Sequence, residues 1–354
     1  MTGPASPWRR AAFIYDESLS QHIIREDHVM RPTRLRYTYE LLESYRAFDG
    51  QSSRMVAPRI ATDAELLSFH TSEYVRAVRD FSRGKITSEP GRFNFSATGD
   101  NPIYPAMFEA ASMAVGVSLV AAEMVVRGEV DAAFNVAGGF HHAMPGYASG
   151  FCIFNDPVIA IKYLVGLGQR VAYVDIDAHF GDGVQDAFHD TDRVLTVSLH
   201  ESGRYLFPGR GDVTEMGMGA GKGYAVNVPL APGTDDEVYL WAFREVAAPL
   251  VRAFKPDVLV TQLGADSHHL DPITHLSLTT QGFAQVVKEL GALCPKWVAM
   301  GGGGYELGVV PRAWTLAYGA MLGREFPDEI PPSYRRKYGL KTLSDSEPPV
   351  IDAG

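Results

Sequence analysis

Cysteine is nearly missing from this chain of 354 residues, which has two, Cys152 and Cys294. Two thiols cannot build a disulfide scaffold, and their scarcity fits a reducing compartment, the cytoplasm. Basic charge is outweighed as well. Thirty-two Lys and Arg stand against 42 Asp and Glu, for a formal net charge of -10. That excludes a general nucleic-acid coat, because phosphate binding needs clustered positive charge. A long uninterrupted hydrophobic run is absent too. The most apolar stretch, 107–126, is broken by Glu109 and Glu123 and reads as a buried helix rather than a membrane span. The start, Met1 to Arg10, carries Pro4 and Pro7 before the short apolar run 11–15, whereas a secretory signal needs a longer apolar core. No repeat of solenoid length and no Gly/Ser or Pro-rich linker divides the chain.

What is present is ordinary globular composition, 46% hydrophobic and 21% charged, in a length that suits one large α/β domain. Short β-rich runs at 12–15, 132–136, 171–177, 194–200, 225–228, 257–263 and 297–300 are mostly apolar throughout. Parallel strands covered on both faces read that way. Helical patterns alternate with them at 34–45, 63–69, 104–127, 157–167, 235–254 and 280–293, with Asp235 and Thr280 as candidate N-caps. The alternation predicts a single-domain open parallel β-sheet flanked by helices. The domain runs over 1–322. A polar tail over 323–354, marked by Pro331-Pro332 and Pro348-Pro349, packs on it or extends from it. Ligands of such sheets sit at the carboxyl ends of the strands, so the informative residues should follow the strands.

The richest segment begins as a strand and ends in a Gly-rich turn: Val174-Asp175-Ile176-Asp177-Ala178-His179-Phe180-Gly181-Asp182-Gly183. Residues two apart in an extended chain share a face, so Asp175, Asp177 and His179 can converge. Two carboxylates and an imidazole side by side are costly unless a cation neutralises them. An Asp/Gly turn that merely ends the strand has the same local composition. A second apolar strand leads into Gly264-Ala265-Asp266 and adds a third oxygen ligand. One imidazole nitrogen and two carboxylates would leave a coordination position open, as catalytic zinc sites do; Fe(II), Mn(II) and Co(II) also suit the set. Gly138-Gly139-Phe140-His141-His142-Ala143 follows another strand. Adjacent histidines ligate one ion poorly but can flank a water as base and acid, each ring anchored by a carboxylate, with Asp175 and Asp182 nearest. Taken alone, the pair would pass for surface histidines. Finally, Gly301-Gly302-Gly303-Gly304-Tyr305 delivers a tyrosine that can donate to a developing oxyanion. A phosphate-cradling loop is disfavoured, since no Lys-Ser/Thr follows and no GxGxxG spacing occurs. Together these pieces suit metal-assisted amide hydrolysis.

The same stretches, with Gly150-Phe151-Cys152 and 196–200, resemble the histone deacetylase superfamily on the arginase–deacetylase fold. They occur in the family's order, and the resemblance runs from about Phe13 to Leu322. Asp27-His28-Val29-Met30-Arg31-Pro32 and Val309-Val310-Pro311-Arg312-Ala313-Trp314 are most similar to the bacterial acetoin-utilization branch. The resemblance implies a deacetylase catalytic domain over 1–322 with zinc on Asp177, His179 and Asp266. It implies His141 and His142 as the tandem histidines, with His142 the base, and it assigns Asp175 and Asp182 to orient them. Tyr305 would polarise the acetyl carbonyl. Phe151 and Phe207 would wall an acyl-lysine tunnel, Gly150 would approach the acyl-lysine, and Asp100 would hold the substrate backbone at the rim. Arg34 would sit in an internal channel below the metal. One potassium ion is implied at Asp175, Asp177, His179, Ser198 and Leu199, and a second near Phe188, Thr191, Val194 and Tyr224. Ile273 matches the gatekeeper position, where an apolar side chain favours acyl-lysine over a polyamine cation. Gly99, Glu306 and Val29 depart from the family's pattern; these departures leave the chemistry intact and bear on specificity at the rim.

The implied activity is zinc-dependent hydrolysis of Nε-acetyl-lysine in proteins. An acetylated acyl-CoA synthetase is the natural substrate candidate for this branch, with neither nucleic acid nor membrane as partner and the oligomeric state open. An acetylpolyamine or other small-amide hydrolase of the same fold is one alternative. A catalytically silent acyl-lysine binder is another, though such a reader needs neither Tyr305 nor paired histidines. Cys152 reads as packing beside the tunnel, His268-His269 as a solvated rim loop, His70 as a helix-end contact, and Met113 and Met124 as core.

Overall fold

In the computed structural model, residues 10–346 are described; residues 1–9 and 347–354, which include Pro348-Pro349, lie outside the described residues. Eight strands form one sheet: β1 (Ala11–Ile14), β2 (Ser53–Val56), β3 (Ala132–Asn135), β4 (Val171–Asp175), β5 (Val194–Glu201), β6 (Ala225–Leu230), β7 (Val258–Gln262) and β8 (Trp297–Met300). Their order is β2-β1-β3-β8-β7-β4-β5-β6, and every pairing is parallel. The six inner strands are buried at every residue, which is why they read as mostly apolar runs, with polar residues such as Asn135, Asp175 and Gln262 at their carboxyl ends. The edge strands β2 and β6 are only partly buried. β2, Ser53-Arg54-Met55-Val56, escapes prediction because an edge strand with two exposed residues has no apolar run to show.

Helices cover both faces. Alternation along β3 shows the division: the Phe134 ring meets Trp314 edge-on at 6.2 Å, while the Asn135 side chain donates to the Ala114 carbonyl at 3.1 Å. The helices Thr33–Ser44, Val310–Leu322, Thr280–Gly291 and Asp236–Ala242 pack in one row, and Met107–Val126, Asp156–Gly166 and Asp182–Phe188 in the other. Met107–Val126 is long and apolar enough to cross a membrane by length and composition. It lies instead between the main core, through Val117, Ala121 and Val125, and a second cluster, through Met107, Phe108 and Val115. That second cluster is closed from outside by the helix Ser72–Ser82.

Several boundaries differ from expectation. Asp235 caps its helix by accepting from the Val238 amide, but the cap of the next predicted helix is Thr279, which accepts from Gly282. Thr280 is already helical, and its hydroxyl donates to the Leu343 carbonyl instead. The helices Ser72–Ser82, Asp182–Phe188, Val310–Leu322 and Pro332–Tyr338 are additional. Pro311 and Pro332 look like breakers in sequence yet occupy first turns, where a missing N–H costs nothing. Beyond Gly323 the chain doubles back over the first helix. Tyr338 packs on Tyr37 with ring centroids 4.3 Å apart, and Ile330, Tyr334 and Leu343 join Leu41 and Tyr45 in a small core of their own.

Candidate active site

Neighbouring parallel strands release their chains side by side at the carboxyl edge. β4 and β7 are such neighbours, with Asp175 in register with Gln262. Beyond β4, His179 Nδ1 lies 3.0 Å from Asp177 Oδ1, and 3.0 Å from Oδ2 of Asp266, which follows β7. All three side chains are buried. Asp175 does not join them. The strand ends at Asp175, extended geometry stops there, and its side chain turns elsewhere. Its Oδ1 accepts from the Asp177 amide at 3.1 Å, and its Oδ2 accepts from the Tyr173 hydroxyl at 2.6 Å and from His141 Nδ1 at 2.7 Å.

The donor set fits a divalent cation. Asp177 Oδ2 accepts from the Gly303 amide at 2.7 Å and from Gln262 Nε2 at 2.5 Å, and Asp266 Oδ1 accepts from the Ala178 amide at 2.8 Å. Each carboxylate thus has one oxygen tied to neighbouring amides and the other turned toward the His179 ring, with Asp177 Oδ1 also accepting from the His179 amide at 2.9 Å. Burial and the Asp177 carboxylate push Asp266 up to about 8. Burial alone would lower His179, but Asp177 and Asp266 outweigh it and raise the imidazole to about 10. The cluster thus demands positive charge at its centre, and one nitrogen with two oxygens suits zinc or a mid-row ion. Gly303 closes the cradle: a Cβ there would stand 2.0 Å from Asp266 Oδ2 and 2.8 Å from Asp177 Oδ2.

The two histidines follow β3. His141 Nδ1 donates to Asp175, and His142 Nδ1 donates to Asp182 Oδ1 at 2.8 Å. Their Nε2 atoms face each other at 3.0 Å. Burial and the neighbouring His141 charge push His142 down to about 4, so its Nε2 keeps a lone pair. His141 goes the other way. Burial opposes its charge, but Asp175 and Asp177 prevail and raise it to about 9. Two adjacent imidazoles are thereby split into a proton acceptor and a proton donor. Their loop is fixed from below. Asn155 Nδ2 donates to the carbonyls of His141 and Ala143, both at 3.0 Å, and the Asp156 carboxylate accepts from the amides of Gly139 and Phe140.

Tyr305 arrives beyond β8. Its amide donates to Asp271 Oδ2 at 2.9 Å, and burial beside Asp266 and Asp177 holds its hydroxyl well above the ordinary range, hence protonated. Its ring meets Phe151 edge-on at 5.8 Å, and Phe207 meets His142 edge-on at 5.0 Å. Gly150 lies at their foot with φ of 47°, where a Cβ would come within 2.5 Å of the His142 ring. Asp100 is exposed; its carbonyl accepts from His28 Nε2 at 3.3 Å, and the His28 ring packs edge-on against Phe151. Ile273 is half-buried, its amide 3.1 Å from Asp271 Oδ1. Arg34 is buried, donates to the Gly304 carbonyl at 2.8 Å, and lines a mainly apolar cavity with Leu19, Met30, Phe140 and Phe151.

The residues implied for monovalent cations fall into two groups. Ser198 pairs with Asp175 across β4 and β5, with Leu199 next to it. Phe188, Thr191, Val194 and Tyr224 gather at the opposite end of β5, where the Thr191 amide donates to the Phe188 carbonyl at 3.3 Å. Sequence reasoning misses the supports: Tyr173, Gln262, Asp271, Asn155 and Asp156. Only tertiary contact reveals most of them, although Tyr173 stands two residues before Asp175 in the strand, a period that could have pointed to it. His70 is more than a helix-end contact, since it accepts from the Asn155 amide at 3.0 Å while Nδ1 donates to the Met144 carbonyl. The pair His268-His269 is not a solvated loop. His268 is buried and donates to Asp345 Oδ2 at 2.8 Å, and His269 stacks on it at 4.3 Å. Cys152 is buried, with Sγ 3.2 Å from the Gly150 carbonyl.

A sequence model of the histone deacetylase domain matches residues 28–321. Acetoin utilization protein AcuC of Bacillus subtilis (strain 168) is 42% identical over 337 residues, spanning 93% of this chain and 87% of its own. Histone deacetylase 1 of Homo sapiens is 37% identical over 326 residues, 91% of this chain and 67% of its own. Among solved structures, an HDAC homolog from Aquifex aeolicus superposes with a TM-score of 0.89 at 32% identity, covering 96% of this chain and 95% of that one. An HDAC homolog complexed with SAHA gives 0.88, also at 32% identity, with the same coverage.

Proposed function

The chain belongs to the histone deacetylase family of hydrolases, and from that premise we propose that it hydrolyses Nε-acetyl-lysine in proteins or peptides, releasing acetate and free lysine. The observation that carries the reading is the splitting of His141 and His142 by separate carboxylates, directly beside the Asp177–His179–Asp266 cluster. Asp177, His179 and Asp266 would hold zinc, which when bound supplies Lewis acidity to the acyl oxygen and to water.

The protein's own groups perform the rest. Phe151 and Phe207 wall a narrow apolar approach for a lysine side chain, and Gly150 lets it pass close to His142. The His142 Nε2 lone pair, with Nδ1–H committed to Asp182, accepts a proton from water as the water oxygen bonds to the amide carbon. The Tyr305 hydroxyl donates to the oxyanion as it develops. His141 gives a proton to the lysine nitrogen as the C–N bond breaks, and Asp175 steadies the imidazolium beforehand. Ile273 offers no carboxylate to hold a second amine, which favours acyl-lysine over an acetylpolyamine. Potassium at Asp175, Ser198 and Leu199, and again at Phe188, Thr191, Val194 and Tyr224, belongs to the same reading. So does a cytoplasmic setting, which suits two unpaired cysteines, and an acetylated acyl-CoA synthetase as the protein substrate.

The test is turnover of a fluorogenic acetyl-lysine peptide by the zinc-loaded chain, with N-acetylputrescine as competitor substrate. Peptide turnover that a chelator abolishes and SAHA blocks is expected. Preference for the acetylpolyamine, or binding without turnover, overturns the reading.

A further inference from the structure

Far from the catalytic strands in sequence, residues 343–345 end in a polar clasp. Asp345 Oδ1 accepts from Arg312 at 2.7 Å. Its Oδ2 accepts from His268 Nε2 at 2.8 Å, from the Thr280 amide at 2.8 Å and from the Thr280 hydroxyl at 3.2 Å. Gln281 holds the same residue by its backbone, accepting from the Asp345 amide and donating to its carbonyl, both at 3.0 Å. The Leu343 carbonyl takes further bonds from Thr280 and Arg312. The side chains of Asp345, His268 and Arg312 are all less than a tenth exposed. Potential ligand atoms of His268, His269 and Asp345 lie within 4.8 Å of one another. Yet Asp345 is already filled by donors and neutralised by a guanidinium, so this cluster has no use for a cation.

From His268 the contacts run straight to the catalytic tyrosine. With Nε2–H committed to Asp345, the His268 Nδ1 lone pair accepts from the Leu270 amide at 3.1 Å. That closes a turn in which the Asp271 amide donates to the His268 carbonyl at 2.9 Å. The turn presents Asp271, whose Oδ2 holds the Tyr305 amide at 2.9 Å. Arg34 grips the other side of the same peptide through the Gly304 carbonyl. Arg34 stands on the helix Thr33–Ser44, against which the tail also packs, with Lys337 bonding Glu40.

We propose that Asp345 is a positioning residue for Tyr305: it fixes His268, His268 sets the turn at 268–271, and Asp271 then holds the tyrosine where the acyl oxygen develops charge. This rests on the role given to Tyr305 above. Nothing in the resemblance or the comparisons assigns a part to the tail.

The test uses the full zinc-loaded chain and Asp345→Ala. The expected result is a fall of about tenfold in kcat with KM within about twofold, the size seen when partners behind reacting groups are removed. In a Tyr305→Phe background the same substitution should cost nothing more, because the group it positions is gone. Hydrogen exchange should quicken in peptides covering 268–271 and Tyr305 and stay slow in β4 and β7. Losses that multiply in the double variant, unchanged exchange at Tyr305, or one fewer bound zinc than wild type would each overturn the proposal. Should Asp345→Ala not fold, Asp345→Asn keeps the volume and one acceptor oxygen and bears the same measurements. An inert wild-type chain would defeat the functional reading alone, since exchange at Tyr305 still decides this one.

Discussion

The loop beyond β7 contributes to two buried clusters of carboxylate and imidazole, and they are built oppositely. At Asp177, His179 and Asp266, the outer oxygens are tied by neutral amides and the inner atoms converge, with no arginine or lysine bonded to them among the described residues. At His268 and Asp345, Arg312 supplies the charge and every acceptor is taken. The second cluster is complete as it stands. Burial would raise Asp345, yet His268, the Thr280 amide and Arg312 hold it well below the ordinary carboxylate range. In the first, burial and the Asp177 carboxylate drive Asp266 upward, while His141 and His179 hold Asp177 down. Two buried carboxylates that face each other across one imidazole leave negative charge for a cation to meet, whereas one paired with a guanidinium acts as a fastener.

The sharpest way to separate the clusters is to neutralise one carboxylate in each. Asp266→Asn should abolish stoichiometric zinc binding and lower kcat/KM by about a thousandfold or more, the scale of several kcal/mol of lost charge stabilisation. Zinc content, read by metal analysis after dialysis, should stay at wild-type level in Asp345→Asn. Equal metal loss in both variants would erase the distinction. A smaller effect lies between them. Tyr305→Phe should lower kcat by about a hundredfold, with melting temperature and metal content unchanged. If its kcat stayed within twofold, the oxyanion donor would have to be sought elsewhere. The mildest probe is pH. His142 must be neutral to accept, so kcat/KM rises as pH climbs through a value near 4. His141 must be protonated to donate, so the rate falls again as pH passes its own value, about 9 without a cation and lower beside one. A plateau bounded on both sides is the expected profile. A rate that climbs steadily through pH 8 would assign the proton acceptor to another group.

The inner strands are legible in sequence because burial on both faces favours apolar residues, wholly so in β8, Trp297-Val298-Ala299-Met300. The candidate site residues are legible because they gather just beyond such strands. Legibility fails where a role depends on a partner far along the chain. Asp175 looks equal to Asp177 by spacing; only the end of β4 and the arrival of His141, 34 residues earlier, divert it. Asp271 looks like a turn residue, and Asp345 like part of a polar tail. Neither shows its partners until Tyr305 and Arg312 are placed beside them. The helix Val310–Leu322 hides for a local reason, since four glycines and Pro311 punctuate its approach.

The strand order has a bearing on how the protein comes into being. β8, made last, lies in the middle of the sheet, between β3 and β7. Until some 300 residues have left the ribosome, two half-sheets each expose a raw inner border that invites pairing with foreign strands. The cation cradle is unfinished for as long, because Gly303 lies beyond that keystone. A nascent chain that stalls before β8 emerges lacks both the centre of the sheet and the Gly303 amide on Asp177, and is a hazard for aggregation rather than a weak enzyme.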